Sequence, residues 1–99
     1  MTIQKNQEGS KVVLELSGRL DTTTAPELEA EITAVPASAS QLTLDFSGLE
    51  YLSSAGLRVI LLAQKKMAKQ GAMIVSHVNE TIMEVFEITG FADILTIER

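Results

Sequence analysis

The segment from Gln41 to Lys69 joins a strand to a helix, and this order limits the folds open to the chain. Leu42, Leu44 and Phe46 alternate with polar residues, which is typical of a strand with one buried face. We predict a turn after Phe46, and from Ser53 onward apolar residues recur at helical spacing. A strand followed by an amphipathic helix favours an α/β fold in which successive strands pair in parallel.

The rest of the chain continues this alternation. Strands are predicted over residues 2–6, 11–16 and 72–76, and residues 95–97 form either a last short strand or a helix tail. Helices are predicted to begin after Thr24, Ser53 and Asn79. The chain has 99 residues, enough for one hydrophobic core. We therefore predict one α/β domain over residues 1–99, with a small mixed sheet of four to five strands and three to four helices.

Each predicted helix carries end signals. Thr24 precedes Ala-Pro-Glu, which predicts an N-cap with a capping box to Glu27. Asn79 is a candidate N-cap, and Gly90 is a candidate C-cap followed by a hydrophobic contact. On the helix after Ser53, one buried face is predicted to consist of Leu57, Ile60, Leu61 and Ala68.

Composition excludes several classes of partner. The net charge of −5 argues against binding to nucleic acid or to an anionic membrane, because both favour a basic surface. The longest strongly apolar run, Leu57 to Ala63, is interrupted by Arg58 and is too short to span a bilayer. The first residues show no apolar signal segment and the chain has no cysteine, so we expect a cytoplasmic protein without disulfides.

Catalytic and metal-binding patterns are missing from the sequence. The chain has a single histidine, His77, and it lacks both a G-x-S-x-G nucleophile elbow and a phosphate-binding G-x-x-x-x-G-K-[ST] loop. No cluster of His, Cys or carboxylate residues has the spacing of metal ligands. We expect no enzymatic activity, no metal and no cofactor, and we interpret Lys65, Lys66 and Lys69 as the solvated end of a helix.

The serine pair at the start of the central helix is the strongest functional signal. Ser53 and Ser54 lie where backbone N–H groups have no partner within the helix, so a hydroxyl there can cap the helix or carry a phosphate. Ala55 and Gly56 follow and allow close approach of another group. If the second and third strands are neighbours, Asp21 lies at the same sheet edge, where α/β proteins bind ligands and partners. The residues alone predict a polar binding surface there.

Three segments carry a resemblance to a known family. They are Leu16-Ser-Gly-Arg-Leu-Asp21 with the following Thr-Thr-Thr-Ala-Pro-Glu-Leu, then Leu44 to Arg58, and finally Val85-Phe-Glu-Ile-Thr-Gly-Phe91. The chain resembles a STAS domain of the anti-sigma-factor antagonist type over nearly its whole length. The resemblance implies a STAS-like fold and a role as an anti-sigma factor antagonist (an anti-anti-sigma factor) in bacterial transcription regulation.

The resemblance also implies a partner-switching mechanism. The unphosphorylated domain binds an anti-sigma factor serine kinase, phosphorylation on a serine releases it, and a PP2C-type phosphatase resets the switch. The family pattern D-S-S-G reads Ser53-Ser54-Ala55-Gly56 here, which puts the acceptor at Ser54, with Ser53 as the alternative. The implied partner-binding residues are Asp21, Thr22, Thr23, Ser53, Ser54, Ala55, Gly56 and Arg58.

Two other functions remain open, and each predicts different binding. The domain could be a non-switching STAS accessory subunit of an ABC-type lipid transport complex, which would suit a serine in place of the family aspartate. It could also be a sensor that binds a nucleotide or another anion at the same helix N-terminus. The exposed edge of a small sheet permits either a monomer or a weak dimer.

Overall fold

The computed structural model describes residues 1–99, which form five strands and three α-helices. The strands are β1 (Thr2–Glu8), β2 (Lys11–Leu20), β3 (Gln41–Leu52), β4 (Ala72–Ser76) and β5 (Thr96–Glu98). The helices are α1 (Ala25–Thr33), α2 (Ser54–Ala68) and α3 (Glu80–Thr89), and a 3-10 turn covers Phe91–Asp93. None of the helices combines the length and the apolar character needed to cross a bilayer.

The five strands form one mixed sheet in the order β1-β2-β3-β4-β5. β1 and β2 form an antiparallel hairpin, whereas β2 to β5 pair in parallel. Each parallel pair needs a crossover, which α1, α2 and α3 supply in turn. Because every crossover moves one strand in the same direction, right-handed connections place all three helices on one face of the sheet. The predicted fold class is confirmed.

The core lies between this sheet face and the helices. Burial alternates along β2 and β3, where Leu14 and Leu44 are fully buried and the intervening residues are half-buried. The Phe46 ring on β3 lies 6.2 Å from the Phe86 ring on α3, measured between centroids. The opposite face of the sheet carries no helix. The fold is therefore a two-layer α/β domain.

The predicted ends of β2 and β3 were wrong, since both strands run further than the alternation of apolar residues suggested. Residues 17–20 stay in the sheet and pair in parallel with residues 48–52. Two register shifts in this stretch, between Glu15 and Ser17 and between Gly18 and Arg19, break the alternation. The buried residues after Phe46 are consequently spaced by three. A strand with this spacing lacks the alternation of buried and exposed residues by which a strand is recognised in a sequence.

All three predicted caps stand at the predicted helix ends, but the capping hydrogen bond expected of Thr24 is not made. The Asn79 side chain accepts a hydrogen bond from the Ile82 N–H at 2.9 Å, and Gly90 ends α3 with a left-handed φ of 82°. Thr24 precedes α1, but its hydroxyl makes no capping bond to the helix. It instead accepts from the Asp21 N–H at 2.8 Å and donates to the Arg19 carbonyl at 2.8 Å.

The buried face of α2 also differs from the predicted one. Leu57 and Ile60 are buried as expected, but Leu61 is only half-buried and Ala68 is exposed. Val59, Ala63 and Met67 are buried in their place. The face is rotated because α2 packs against α1 as well as against the sheet. The spacing of apolar residues along α2 does not by itself reveal the contact with α1.

Lys66 was predicted to be a solvated residue at a helix end, and the structure corrects this. Its ammonium donates to three carbonyls at the C-terminal end of α1: Ile32 at 2.9 Å, Thr33 at 3.2 Å and Val35 at 2.7 Å. The last turn of α1 has no basic residue of its own. Lys66 therefore supplies from α2 the positive charge that a helix C-terminus favours.

Candidate functional site

The turn after β2 and the start of α2 lie side by side at one edge of the sheet. Leu20 and Leu52 are register partners at the ends of β2 and β3. One residue further on, the Ser53 N–H donates to the Leu20 carbonyl at 2.9 Å. Asp21 therefore follows directly on the strand that holds the N-terminus of α2. The expectation that β2 and β3 are neighbours is confirmed.

The two serines have different environments. Ser53 is the N-cap of α2, and its half-buried hydroxyl accepts a long hydrogen bond of 3.4 Å from the Gly56 N–H. Ser54 is the first residue of the helix, its side chain is exposed, and its hydroxyl makes no hydrogen bond within the protein. The first turn of α2 holds no acidic residue. The Ser54 hydroxyl is thus free at the end of a helix where negative charge is favoured.

The turn that carries Asp21 is held by its own side chains. One carboxylate oxygen of Asp21 accepts from the Thr23 N–H at 3.0 Å, the Thr23 hydroxyl at 2.8 Å and the Thr24 N–H at 3.2 Å. Thr22 and Thr23 are exposed beside it. Asp21 thus binds the backbone donors of the turn that precedes α1. These contacts give the loop a defined shape next to the serines.

The same contacts keep Asp21 ionised. The hydrogen bond from the Thr23 hydroxyl is the largest influence, and together with the N–H groups of Thr23 and Thr24 it holds the pKa of Asp21 below its ordinary value of 3.8. Partial desolvation acts in the opposite direction. The Arg19 guanidinium lies 3.6 Å from the second carboxylate oxygen. A negative charge is therefore present beside Ser54 at neutral pH.

We expect the unfolding free energy to fall in acid, in part because of Asp21. A depressed pKa in the folded state contributes stability that is full above 3.8 and is lost as the pH falls through the lower folded value. Asp21→Asn should therefore show a shallower loss of stability below that pH than the unmodified chain. Urea unfolding between pH 2.5 and pH 7 measures this difference as a change in the urea concentration at the unfolding midpoint. Parallel curves for the two proteins would contradict the role of Asp21.

Gly56 lies beneath the site rather than on its surface, which corrects its predicted place in the contact surface. The residue is buried, and a Cβ added to it would lie 2.7 Å from Leu20 Cγ and 2.8 Å from Leu52 Cδ1. Glycine therefore lets the first turn of α2 rest on the two strand ends. Ala55 beside it is half-buried and packs against the core. These small residues set the position of Ser54 on the strand ends.

Arg58 is exposed one turn after Ser54, as predicted, while Arg19 and Tyr51 are additions that the sequence did not indicate. The Arg19 guanidinium lies 4.0 Å from the centre of the Tyr51 ring. The two residues are register partners in the extended part of β2 and β3. They were missed because both strands were predicted to end too early. Arg19 and Tyr51 thus place a guanidinium stacked on an aromatic ring beside Asp21.

His77 takes part in a separate pair. Its Nδ1 lies 3.1 Å from a carboxylate oxygen of Asp45, and its backbone has a left-handed φ of 56°. Burial by itself raises the pKa of Asp45, but the Ser47 N–H and His77 outweigh it, so the pKa lies below 3.8. The histidine makes no hydrogen bond to Ser53 or Ser54. The structure thus does not join His77 to the serine site.

Together these features define a class of protein: a two-layer α/β domain with a free serine hydroxyl and a charged turn at one sheet edge. A family model described as "Mlab, STAS domain" matches residues 3–96, and the chain belongs to the STAS domain family. This confirms the resemblance found in the sequence. The match covers every strand and helix that forms the site.

Within the STAS family, the individual proteins most relevant for comparison are anti-sigma factor antagonists. The chain is 39% identical over 84 residues to BtrV of Bordetella bronchiseptica, which is named as an anti-sigma factor antagonist. The matched region covers 83% of this chain and 72% of that protein. The crystal structure of an anti-sigma factor antagonist from Mycobacterium paratuberculosis is 28% identical, with a TM-score of 0.88 over 98% of this chain and 84% of that one. The Bacillus protein SpoIIAA in its phosphorylated form shares the fold, with 21% identity and a TM-score of 0.77 over 97% and 90% of the chains.

Proposed function

We propose that this chain is an anti-sigma factor antagonist that switches partners by phosphorylation of Ser54. In its unphosphorylated form it binds an anti-sigma factor serine kinase in the cytoplasm; the phosphorylated form releases that kinase, and a PP2C-type phosphatase restores the first form. The observation that carries the proposal is the free, exposed Ser54 hydroxyl at the first position of α2. The relatives named as anti-sigma factor antagonists support the choice of partner.

Ser54 is a better acceptor than Ser53 because its hydroxyl is not otherwise engaged. The Ser53 hydroxyl is the acceptor for the Gly56 N–H, and the residue is half-buried between the strand ends and the helix. A kinase would have to break that cap to reach it, at a cost of about 1 kcal/mol. The Ser54 hydroxyl makes no such contact and is exposed. The geometry therefore favours phosphate transfer to Ser54.

The proposed switch is electrostatic. A phosphoserine adds about −1.5 to −2 charges and three strong acceptor oxygens. The N–H groups of Ser54 and Ala55 make no hydrogen bond within the protein, and the helix dipole favours a negative group at this end. The phosphate should consequently leave the fold intact. A partner would have to bury the new charge together with that of Asp21, which is unfavourable.

The test is to compare the affinities of the two forms for the anti-sigma factor serine kinases encoded in the source genome. The phosphorylated form is made by incorporating phosphoserine at position 54 during translation. We expect its affinity, measured by calorimetry, to be lower by about 100-fold or more, corresponding to roughly 3 kcal/mol. Ser54→Asp should give a smaller decrease, because aspartate carries one charge where the phosphate carries nearly two.

Circular dichroism of the two forms serves as the control and should show the same helix content. Equal affinities would reject the switch and favour the non-switching accessory subunit of a transport complex. Heat released on titration of the purified chain with ATP or GTP would instead favour the nucleotide sensor. Each alternative thus predicts a result that the proposed function does not.

A further inference from the structure

The positive charge of the helical layer is concentrated on α2. Three of the eight Lys and Arg residues of the chain belong to this helix and a fourth, Lys69, is its C-cap, whereas α1 and α3 contain only acidic charges. Lys66 is occupied by the carbonyls of α1. Five exposed residues, from the first residue of α2 to its C-cap, are spaced by four, four, three and four positions, so they form one ridge along the helix. This α2 ridge consists of Ser54, Arg58, Leu62, Lys65 and Lys69.

Leu62 gives the ridge an apolar centre beside a groove. The Leu62 side chain is 44% exposed and lies between Arg58 and Lys65 on the ridge. It borders a depression of about 310 Å³ between α1 and α2, together with Ile32 and Val59. Glu29 on α1 and Lys66 on α2 also line this groove. One wall is therefore acidic, the other is basic, and the floor is apolar.

We propose that the α2 ridge and this groove bind an amphipathic helix of the partner, with acidic residues on the flank that faces Arg58 and Lys65. An apolar side chain of that helix would cover Leu62, which is how helix-in-groove complexes place their anchors. The charges of the two walls set the orientation, because an acidic flank placed against α1 would face Glu29. The inference rests on the proposed function, since Ser54 is the first residue of the ridge.

The same surface explains how a phosphate at one end could affect the whole interface. The ridge carries three positive charges, on Arg58, Lys65 and Lys69, and a phosphate on Ser54 would cancel about half of them or more. Arg58 is four residues from Ser54 and therefore lies on the same side of the helix within reach of the phosphate. Arg58 makes no ion pair in the unphosphorylated protein. An acidic partner helix would lose that cation as well as gain a repulsion.

The chain offers matched controls for this proposal. Leu62→Ser and Lys65→Glu alter the ridge, whereas Ile88→Ser and Lys11→Glu make the same changes at exposed positions on α3 and β2. Affinity for the kinase that phosphorylates Ser54 is measured by calorimetry for all four variants. We expect the two ridge variants to weaken binding by about tenfold or more and the controls by less than about twofold. Higher salt should reduce the affinity of the unmodified chain more than that of Lys65→Glu.

The failure of this inference can be told apart from that of the proposed function. If the kinase binds and phosphorylates Ser54 but Leu62→Ser and Lys65→Glu bind as the unmodified chain does, the ridge proposal is overturned and the switch stands. Weaker binding of Ile88→Ser alone would move the docking surface to α3 and also overturn it. If no kinase binds the unmodified chain, both proposals fail. Circular dichroism excludes unfolding of the variants.

Discussion

Replacing Ser54 with alanine is expected to abolish phosphate incorporation by the anti-sigma factor kinase. The substitution removes the only free hydroxyl at the N-terminus of α2, and alanine is compatible with the first turn of a helix. The fold should therefore be unchanged while the acceptor is lost. The measurement is incorporation of radiolabelled phosphate from ATP, with the site mapped by mass spectrometry of the unmodified chain.

Ser53→Ala provides the matched control for this experiment. Because it removes the cap on the Gly56 N–H, it should lower the unfolding free energy by about 0.5–2 kcal/mol. Ser54 would remain available, so labelling should persist. If label persisted in Ser54→Ala and disappeared in Ser53→Ala, the acceptor would be Ser53. That result would also show that the kinase opens the first turn of α2.

Replacing Phe86 with alanine is expected to lower the unfolding free energy by about 3–5 kcal/mol. The Phe86 side chain is fully buried on α3, and its ring lies 6.2 Å from that of Phe46 on β3. The substitution leaves a cavity at the contact that holds α3 on the sheet. In a domain of this size, such a loss should lower Tm by roughly 12 °C or more. Urea unfolding followed by circular dichroism measures the change.

Ile88, two residues further along the same helix, gives the comparison. Its side chain is 85% exposed, so Ile88→Ala removes little buried surface and should change stability by less than about 0.5 kcal/mol. The difference between the two variants isolates burial from helix propensity. A small effect of Phe86→Ala would mean that other contacts hold α3, such as the hydrogen bond from Asn79 to the Leu49 carbonyl.

The elements that were predicted well have strong local signals. The alternation of Leu42, Leu44 and Phe46 identified β3, and Asn79 and Gly90 marked the ends of α3. These signals depend on residues within a few positions of one another. The strand extensions were missed because their register shifts are set by pairing between residues about 30 positions apart. Local periodicity does not contain that information.

The candidate site was predicted only in part, for a related reason. Asp21 and Ser54 were placed together correctly once β2 and β3 were taken as neighbours, since parallel strands end at the same sheet edge. The buried position of Gly56, the Arg19–Tyr51 stack and the role of Lys66 depend on contacts between separate elements. No spacing along one element reports such contacts. The same holds for the groove beside Leu62.

The amino-acid sequence by itself determined the order of the elements and the two hydroxyls at the start of α2, because both follow from residues close together along the chain. It also determined the excess of acidic residues, which is a matter of composition alone. Tertiary structure decided which of the two hydroxyls is free and which face of α2 is exposed. The strand ends fix where α2 begins, since the Ser53 N–H donates to the Leu20 carbonyl, and α1 covers part of the helix. Pairing between distant segments thus sets the start of α2, and that start makes Ser53 the capping serine and leaves the Ser54 hydroxyl free.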